Sequence, residues 1–277
     1  MSEGIHPTAI IEPGAEIGEG CRIGAYCCIG PHVRLGRNNV LHTNVVIDGH
    51  TTLGDGNELF SFACIGKISQ DLKFRKEWVS YSRIGSGNVF REYVTVNASS
   101  MDGGSTIIGS GCLLLSYSHV AHDCVLGDKV IVSSDSKMAG HVEIGDHAIV
   151  NAKTGIVQFV RIGKFAFIGG FNKVAKDILP YCIADGFPSE IRGINKVGLE
   201  RNGFSADRIK AIQDAYKTIV RSGLPLKEAL ASLSEKYADV PEVRGMIEFA
   251  AASKVGLARP RKRGAAADSK SPGEGAE

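Results

Sequence analysis

The sequence predicts a mainly β fold, a parallel β-helix of six-residue repeats followed by a small α-helical C-terminal domain. Three observations indicate it: an aliphatic residue recurs at every sixth position, a small or β-branched residue often precedes it by two positions, and glycine often follows it. Residues six apart scatter around an α-helix, whereas side chains at even separations face the same side of a strand. Three such repeats make one triangular coil of about 18 residues.

The aliphatic ladder consists of two long runs joined by a short one. The first run is Ile11, Ile17, Ile23, Ile29, Leu35, Leu41, Ile47, Leu53, Leu59 and Ile65. The short run is Ile84, Phe90 and Val96. The second long run is Ile108, Leu114, Val120, Leu126, Val132, Met138, Ile144, Val150, Ile156, Ile162, Ile168 and Val174. The 34 glycines and the single tryptophan suit tight corners around a narrow interior.

Interruptions of the ladder predict where the regular coils are broken. We expect the β-helix to occupy residues 1–186, with loop inserts at 67–81 and 97–105. The ladder stops at Ile65 and resumes out of register, which requires additional residues to leave the coil. Because loops extending from a regular scaffold often carry function, the longer insert is a candidate part of a functional site.

Helical spacing replaces the six-residue period in the last third of the chain. Residues 187–258 are predicted to form the helical domain, in which Ser205 is a helix N-cap. Two further helices are predicted over residues 226–237 and 241–252. The polar and small residues of 259–277 predict a disordered tail.

Composition limits the classes of function. Lys and Arg total 32 against 30 Asp and Glu, a balance that argues against a nucleic acid as the main partner. No stretch of about 20 apolar residues occurs, so no integral membrane segment is predicted. The first residues have no basic and apolar export pattern, so we expect a cytoplasmic protein. The seven cysteines form no CxxC pair, and four of them are interpreted as reduced packing residues: Cys21, Cys27, Cys112 and Cys124.

The unbroken register after Ile108 permits a geometric prediction about one group of polar residues. His122 should lie at a corner of the coil with Asp123 beside it, Gly140 above His122, and His141 above Asp123. With His119 these residues would form one polar patch outside the solenoid. An imidazole beside a carboxylate can act as a general base. A backbone N–H at a glycine can stabilise an oxyanion.

Two other interpretations of these histidines remain open. Histidines on the outside of a solenoid are commonly solvated, and we interpret His32, His42, His50 and His147 in this way. A zinc site formed by His119, His122 and His141 is the competing chemical interpretation, because imidazoles are frequent zinc ligands. It predicts bound metal, as in a metal-dependent hydratase.

Three short strings resemble a known family. They are Gln70-Asp-Leu-Lys73, Ser118-His-Val-Ala-His-Asp-Cys124 and Ala139-Gly-His141, and they resemble the acyl-[acyl-carrier-protein]:UDP-N-acetylglucosamine O-acyltransferases. The similarity runs from His6 to about Leu257. It implies a left-handed β-helix, a homotrimer with its site between neighbouring subunits, and no metal or other cofactor. It also implies transfer of an (R)-3-hydroxyacyl group from acyl carrier protein to the 3-hydroxyl of UDP-N-acetylglucosamine, the first step of lipid A biosynthesis.

The resemblance also implies roles for individual residues. His122 would be the general base, Asp123 would orient it, and the Gly140 N–H would stabilise the oxyanion. Positions that hold the sugar nucleotide or shape the site are Gln70, Asp71, Lys73, His119 and His141. Positions that contact the nucleotide are Gln158, Asn195 and Arg201. Gly170 matches the end of the acyl-chain pocket. The basic side chains of the C-terminal helices are either a docking surface for the acidic carrier protein or an ordinary solvated face.

The chain departs from the family pattern at three places. Val157 and Val197 replace a usual histidine and a usual acidic residue, and Asn97-Ala-Ser-Ser100 replaces a usual His-Arg-Gly-Thr. These changes motivate an alternative in which a 3-amino UDP-sugar is N-acylated by the same mechanism. A non-catalytic β-helix scaffold is the alternative from a different class of protein.

Overall fold

The computed structural model describes residues 4–260, which form three β-sheets, parallel except at the last strand, and a set of C-terminal helices. Sheet I contains Ile10–Ile11, Cys28–Ile29, Val46–Ile47, Cys64–Lys67, Thr95–Asn97, His119–Val120, Lys137–Met138, Gly155–Ile156 and Lys173–Val174. Sheet II contains Glu16–Ile17, Arg34–Leu35, His50–Leu53, Tyr81–Ile84, Ser105–Ile108, Val125–Leu126, Glu143–Ile144 and Arg161–Ile162. Sheet III contains Arg22–Ile23, Val40–Leu41, Glu58–Leu59, Val89–Phe90, Leu113–Leu114, Ile131–Val132, Ile149–Val150, Phe167–Ile168, Cys182–Asp185 and Glu190–Ile194.

Successive strands along the chain enter sheets I, II and III in turn, so each coil has three sides and three corners. Ile11 pairs with Ile29 and Val120 with Met138, which aligns the aliphatic ladder from coil to coil. From Ile23 onward the ladder residues are buried, and small residues such as Cys27 and Val33 fill the same interior. Coils stacked at the inter-strand spacing of about 4.8 Å therefore share one continuous apolar core.

Two coils contain additional residues without losing this alignment. Ile65 pairs with Val96 and Val96 with Val120, which places the additional residues between Lys67 and Tyr81 and between Asn97 and Ser105. A ladder of buried asparagines holds the coils in register across the longer insert. Asn57 Nδ2 donates to Asn39 Oδ1 at 3.0 Å, and Asn88 Nδ2 donates to Asn57 Oδ1 at 3.0 Å.

The last strand of the coils, Lys173–Val174, is followed by an antiparallel pair, Cys182–Asp185 and Glu190–Ile194, that extends sheet III. The helices are α1 (Lys196–Arg201), α2 (Ala206–Tyr216), a π-helical turn (Lys217–Arg221), α3 (Leu226–Lys236) and α4 (Pro241–Ala251). Ser205 caps α2 by accepting a hydrogen bond from Arg208 N at 3.3 Å. The short helix α1 has no counterpart in the sequence-based prediction, whereas the π-helical turn continues the helical spacing that the sequence shows from Ser205 to Gly223.

Residues 1–3 and 261–277, including most of the predicted tail, lie outside the described residues. Within residues 4–260, no helix combines the length and the apolar character that crossing a bilayer requires.

Candidate active site

A cleft of about 800 Å³ lies on the outer face of sheet I, next to the corner between sheets I and II. Six of the predicted site residues line it: Gln70, Asp71, His119, His122, Gly140 and Gln158. They come from three stacked coils and from the insert, so residues distant in sequence meet at one place. The cleft also includes Asn97, Lys137, Val157 and Lys173, of which Val157 and Asn97 are positions where the chain departs from the family pattern.

His122 and Asp123 form a hydrogen-bonded pair. His122 Nδ1 lies 2.8 Å from Asp123 Oδ2. Because an ionised carboxylate only accepts hydrogen bonds, this contact assigns the imidazole proton to Nδ1 and leaves Nε2 with a free lone pair. An Nε2 lone pair facing a cleft is the arrangement that a general base needs.

The carboxylate of Asp123 is held by the loop between Asn97 and Ser105. Ser99 Oγ donates to Oδ1, while Ser100 Oγ and Ser100 N donate to Oδ2 at 2.7 Å and 3.1 Å. Burial raises the pKa of Asp123, but the hydrogen bonds from Ser99, Ser100 and His122 outweigh it and leave the pKa below its usual value. Asp123 is therefore charged at neutral pH and keeps His122 in one tautomer and one orientation.

Gly140 lies directly above His122, one coil further along the solenoid. His141 N donates to His122 O at 3.0 Å, which fixes the two corners against each other. A Cβ atom on Gly140 would lie 2.5 Å from His122 Nε2 and still closer to Cε1, so only glycine leaves room for the imidazole. Within the described residues the Gly140 N–H makes no hydrogen bond. It is free to meet an oxyanion beside the base.

The insert covers the base. Only 8% of His122 is exposed, and Asp71 Oδ2 lies 3.8 Å from His122 Nε2. The spacing predicts a position outside the solenoid but not the contact with Asp71, because the path of the insert does not follow from the repeat. A carboxylate at this distance favours the imidazolium that forms when Nε2 takes a proton.

His119 and His141 flank the pair on its two sides. Burial, Lys137 and His122 lower the pKa of His119, which is therefore neutral at pH 7. Its Nδ1 lies 2.7 Å from Thr95 Oγ1. His141 packs edge-on against His122 and lies with its Nε2 3.6 Å from Asp123 Oδ2, but it does not line the cleft.

Four other predicted site residues do not line the cleft of this chain. Lys73 is exposed on the insert, and Gly170 is exposed three residues before the cleft residue Lys173. Asn195 caps α1 by accepting from Gly198 N at 3.1 Å and donates to Phe165 O at 3.0 Å. Phe165 lies at the corner between sheets II and III, which is opposite sheet I. Asn195 and the helix it caps, which ends at Arg201, are therefore placed away from the cleft.

Comparison with known proteins assigns the chain to a family. The family model described as UDP N-acetylglucosamine O-acyltransferase, domain 2, matches residues 177–258, and one described as bacterial transferase hexapeptide (six repeats) matches residues 4–37. The chain is 41% identical over 256 residues to the acyl-[acyl-carrier-protein]–UDP-N-acetylglucosamine O-acyltransferase of Anaeromyxobacter sp., covering 92% of this chain and 99% of that protein. The chain belongs to the UDP-N-acetylglucosamine O-acyltransferase family.

Solved structures of this family superpose on the chain. The acyltransferase of Bacteroides fragilis gives a TM-score of 0.87 at 40% identity, covering 92% of this chain and 100% of that one. The enzyme of Moraxella catarrhalis gives a TM-score of 0.89 at 39% identity, covering 92% and 99%. The predicted fold class, a left-handed parallel β-helix followed by a small helical domain, is confirmed, and so is the resemblance noted in the sequence.

Neither Asn97 nor Ser99 of this acyltransferase is among the site residues that the sequence predicts. Asn97 is buried in the cleft, where its Nδ2 donates to Ile68 O at 3.1 Å and its Oδ1 has no partner in the described part of the chain. The signal that could have found both is the departure from the family pattern at Asn97–Ser100, which by itself suggests only a different acceptor sugar.

Removal of the Ser99 and Ser100 hydroxyls is expected to weaken the support that Asp123 gives to His122. In a Ser99→Ala/Ser100→Ala variant, Asp123 stays buried but loses two donors, so its pKa should rise and turnover should fall about tenfold with little change in KM. The variant should also lose about 1–3 kcal/mol of stability at pH 7. Because the lowered pKa stabilises the folded state only where Asp123 is ionised, this difference should shrink as the pH falls below about 4.

Denaturant unfolding at several pH values, with kcat and KM, would test this expectation. Ser134→Ala, which removes an exposed hydroxyl from another corner, is the matched control. Wild-type turnover in the double variant would show that the two hydroxyls do not support the base.

His122, Asp123 and His141 are also the three groups whose ligand atoms lie within 4.8 Å of one another, so zinc must be tested directly. Asp123 Oδ2 is already bonded to His122 and Ser100, which leaves little of its coordination capacity for an ion. We therefore expect turnover to be unchanged after dialysis against EDTA, measured with metal analysis of the same sample. Loss of turnover that added zinc restores would support the metal interpretation.

Proposed function

We propose that the chain transfers an (R)-3-hydroxyacyl group from acyl carrier protein to the 3-hydroxyl of UDP-N-acetylglucosamine, the first step of lipid A biosynthesis. The observation that carries the proposal is the His122–Asp123 pair with the free N–H of Gly140 beside it, in a chain that spans 99% of a curated relative named for this reaction. The reaction needs no cofactor, since base and oxyanion donor are both supplied by the chain.

The site residues act in one sequence of steps. His122 Nε2 takes the proton of the sugar 3-hydroxyl as that oxygen attacks the thioester carbonyl carbon. The carbonyl oxygen gains negative charge and is stabilised by the Gly140 N–H. The carbon–sulfur bond then breaks, and the leaving thiolate takes the proton back from the imidazolium. Asp123 stabilises the imidazolium through Nδ1 throughout, and the carboxylate of Asp71 lies near Nε2.

The remaining predicted residues serve binding. Gln70, Asp71, Lys73, His119 and His141 hold the sugar nucleotide or shape the cleft, and Gln158, Asn195 and Arg201 contact the nucleotide. Gly170 leaves space at the end of the acyl-chain pocket. Acyl carrier protein, an acidic partner, docks against the basic side chains of the C-terminal helices. The reaction would take place in the cytoplasm, without a nucleic acid and without an integral membrane segment. Residues 1–186 would form the coils and residues 187–258 the helical domain.

The positions of the nucleotide-binding residues support the homotrimer that the family resemblance implies. Asn195 is tied to the corner opposite sheet I, so it reaches a cleft only when another copy of the chain lies beside it. Flat solenoid faces allow side-by-side packing, and the outward side chains of sheet III, among them Leu113, Ile131 and Ile149, are apolar. We expect light scattering to give three times the 29.4 kDa of the chain. A monomeric and active protein would contradict this arrangement.

Mass spectrometry of products tests the proposed reaction. Purified protein is incubated with UDP-N-acetylglucosamine and a mixture of (R)-3-hydroxyacyl carrier proteins, with the His122→Ala variant in parallel. An acylated UDP-N-acetylglucosamine formed by the wild-type protein alone supports the proposal, and its mass identifies the acyl chain. Absence of product with both UDP-N-acetylglucosamine and its 3-amino analogue would favour a non-catalytic scaffold. The intact His122–Asp123 pair argues against that outcome.

One observation favours N-acylation of a 3-amino UDP-sugar as a second candidate. The Oδ1 of Asn97 is a buried acceptor in the cleft without a partner among residues 4–260. A 3-amino group could donate one N–H to it while offering the other to His122, which a 3-hydroxyl with its single proton cannot do. A competition between UDP-N-acetylglucosamine and its 3-amino analogue decides between the two. Higher kcat/KM for the amino sugar would support this candidate, while equal or better turnover of UDP-N-acetylglucosamine would reject it.

A further inference from the structure

A second pocket, of about 500 Å³, lies on the outer face of sheet II and spans the first four strands of that sheet, beginning at the N-terminal coil. It is lined by Gly14, Glu16, Pro31, His32, Arg34, His50, Thr52, Tyr81 and Arg83. None of these residues lines the cleft that holds His122. Two arginines face one carboxylate, so the pocket carries net positive charge, although the chain as a whole is nearly neutral.

The two arginines are held at a fixed spacing by the sheet. Arg34 pairs with Thr52, and Thr52 pairs with Arg83, so the three side chains stand on adjacent strands in one column. Two strand spacings separate the arginine Cα atoms by about 9–10 Å. The short threonine side chain between them leaves a gap with a hydroxyl at its floor. A tetrahedral anion fits such a gap, because each guanidinium can donate to it from one side.

Arg83 has no carboxylate partner among the described residues 4 to 260. Its guanidinium lies over the Tyr81 ring, 5.1 Å from the centroid, and its Nε donates to Ser105 Oγ at 3.1 Å. Arg34 is paired with Glu16 at 3.2 Å, where both side chains are well exposed. The Tyr81 ring and the Ser105 hydroxyl thus hold the Arg83 guanidinium at the wall of the pocket, and its terminal N–H groups have no hydrogen bond of their own among the described residues.

The histidines complete the rim of the pocket. Sequence reasoning treated His32 and His50 as ordinary solvated side chains, but the structure stacks their rings 4.3 Å apart and nearly parallel, and Tyr81 packs against His50. Burial and His32 lower the pKa of His50, so this ring is neutral at pH 7 and can donate one N–H. The nearby carboxylate of Asp48 is neutralised by an ion pair with Lys67, whose Nζ lies 2.6 Å from Asp48 Oδ2.

We propose that this pocket is a binding site for a phosphate dianion, held between the guanidinium groups of Arg34 and Arg83 with the Thr52 hydroxyl beneath it. A free phosphate or a phosphate monoester would satisfy the same donors. The site is separate from the catalytic cleft and does not depend on the reaction proposed for it.

Calorimetric titration of the full chain tests the site, with inorganic phosphate in one arm and glycerol 3-phosphate in another at constant pH and ionic strength. We expect an Arg34→Gln/Arg83→Gln variant to lose at least tenfold in affinity for whichever probe the wild-type protein binds. The matched control is Arg22→Gln/Arg37→Gln, which removes two exposed arginines outside the pocket and should bind as the wild type does.

The acyltransferase activity separates loss of the site from loss of the fold. Turnover in the Arg34→Gln/Arg83→Gln variant should equal that of the wild type, because neither residue touches the cleft. If the wild-type protein binds neither probe, or if this variant binds as tightly as the wild type, the proposed site is wrong. Equal weakening in the control variant would also overturn it, since general charge would then explain the binding.

Discussion

Replacing His122 with alanine is expected to reduce turnover by about 10²-fold or more, because the variant has no group at the position of Nε2 to take the proton of the attacking hydroxyl. The fold should be unaffected. The side chain lies outside the apolar core, and its backbone bond to His141 N is kept in the variant. The measurement is kcat and KM with acyl carrier protein and UDP-sugar, together with light scattering and thermal unfolding of the same preparation.

His147→Ala is the matched control for this variant. His147 is also a corner histidine, and its ring stacks on Phe165 at 4.5 Å, but it lies at the corner opposite the cleft. It should keep wild-type turnover. If His122→Ala unfolds or changes its oligomeric state, the residue is structural. If it folds and turns over at the wild-type rate, another group is the base.

Replacing Gly140 with alanine is expected to reduce turnover by a similar factor without removing any functional group. The added methyl would lie 2.5 Å from His122 Nε2, and the backbone at both corners is held by the coil-to-coil hydrogen bonds, so the imidazole must move. Displacement of a catalytic group by about 1 Å costs on the order of 10²-fold in rate. The variant should show lower kcat and an altered His122–Asp123 contact.

Gly193→Ala is the control for the glycine change. A Cβ at Gly193 meets nothing within 4 Å, and the residue lies on the strand Glu190–Ile194, away from the cleft. A crystal structure of Gly140→Ala should show the imidazole rotated away from the corner. Wild-type kcat in this variant would mean that the corner can open, and that the close packing of Gly140 on His122 is not needed for catalysis.

The pairing of His122 with Gly140 was predictable because both residues lie in an uninterrupted part of the repeat. Once the period is known, residues one coil apart must stack, whatever their side chains are. The same arithmetic could not reach Ser99 or Asp71. Both lie on segments that leave the coil, and the path of such a segment is decided by what it packs against. Ser99 reaches Asp123 across 24 residues, and the contact depends on the loop folding back along the corner.

The position of Asn195 was beyond sequence reasoning for another reason. Resemblance implied that it contacts the nucleotide, but its location depends on how the strand pair Cys182–Asp185 and Glu190–Ile194 closes sheet III. That closure ties Asn195 to Phe165, opposite the cleft. A residue can thus match a family position and still lie outside the site of its own chain, which is why the positions of the nucleotide-binding residues required a second copy in the proposal.

By itself, the sequence determined the parallel coils, the buried aliphatic ladder and the stacking of His122 under Gly140, because each follows from a six-residue period that alternates inward and outward side chains. Only the tertiary structure decided that Asp71 covers the base, that Ser99 and Ser100 hold Asp123, and that Arg34, Thr52 and Arg83 share one column. The physical reason is that a period fixes neighbours within regular coils, whereas the length of an insert does not reveal where it folds or how the register resumes after it.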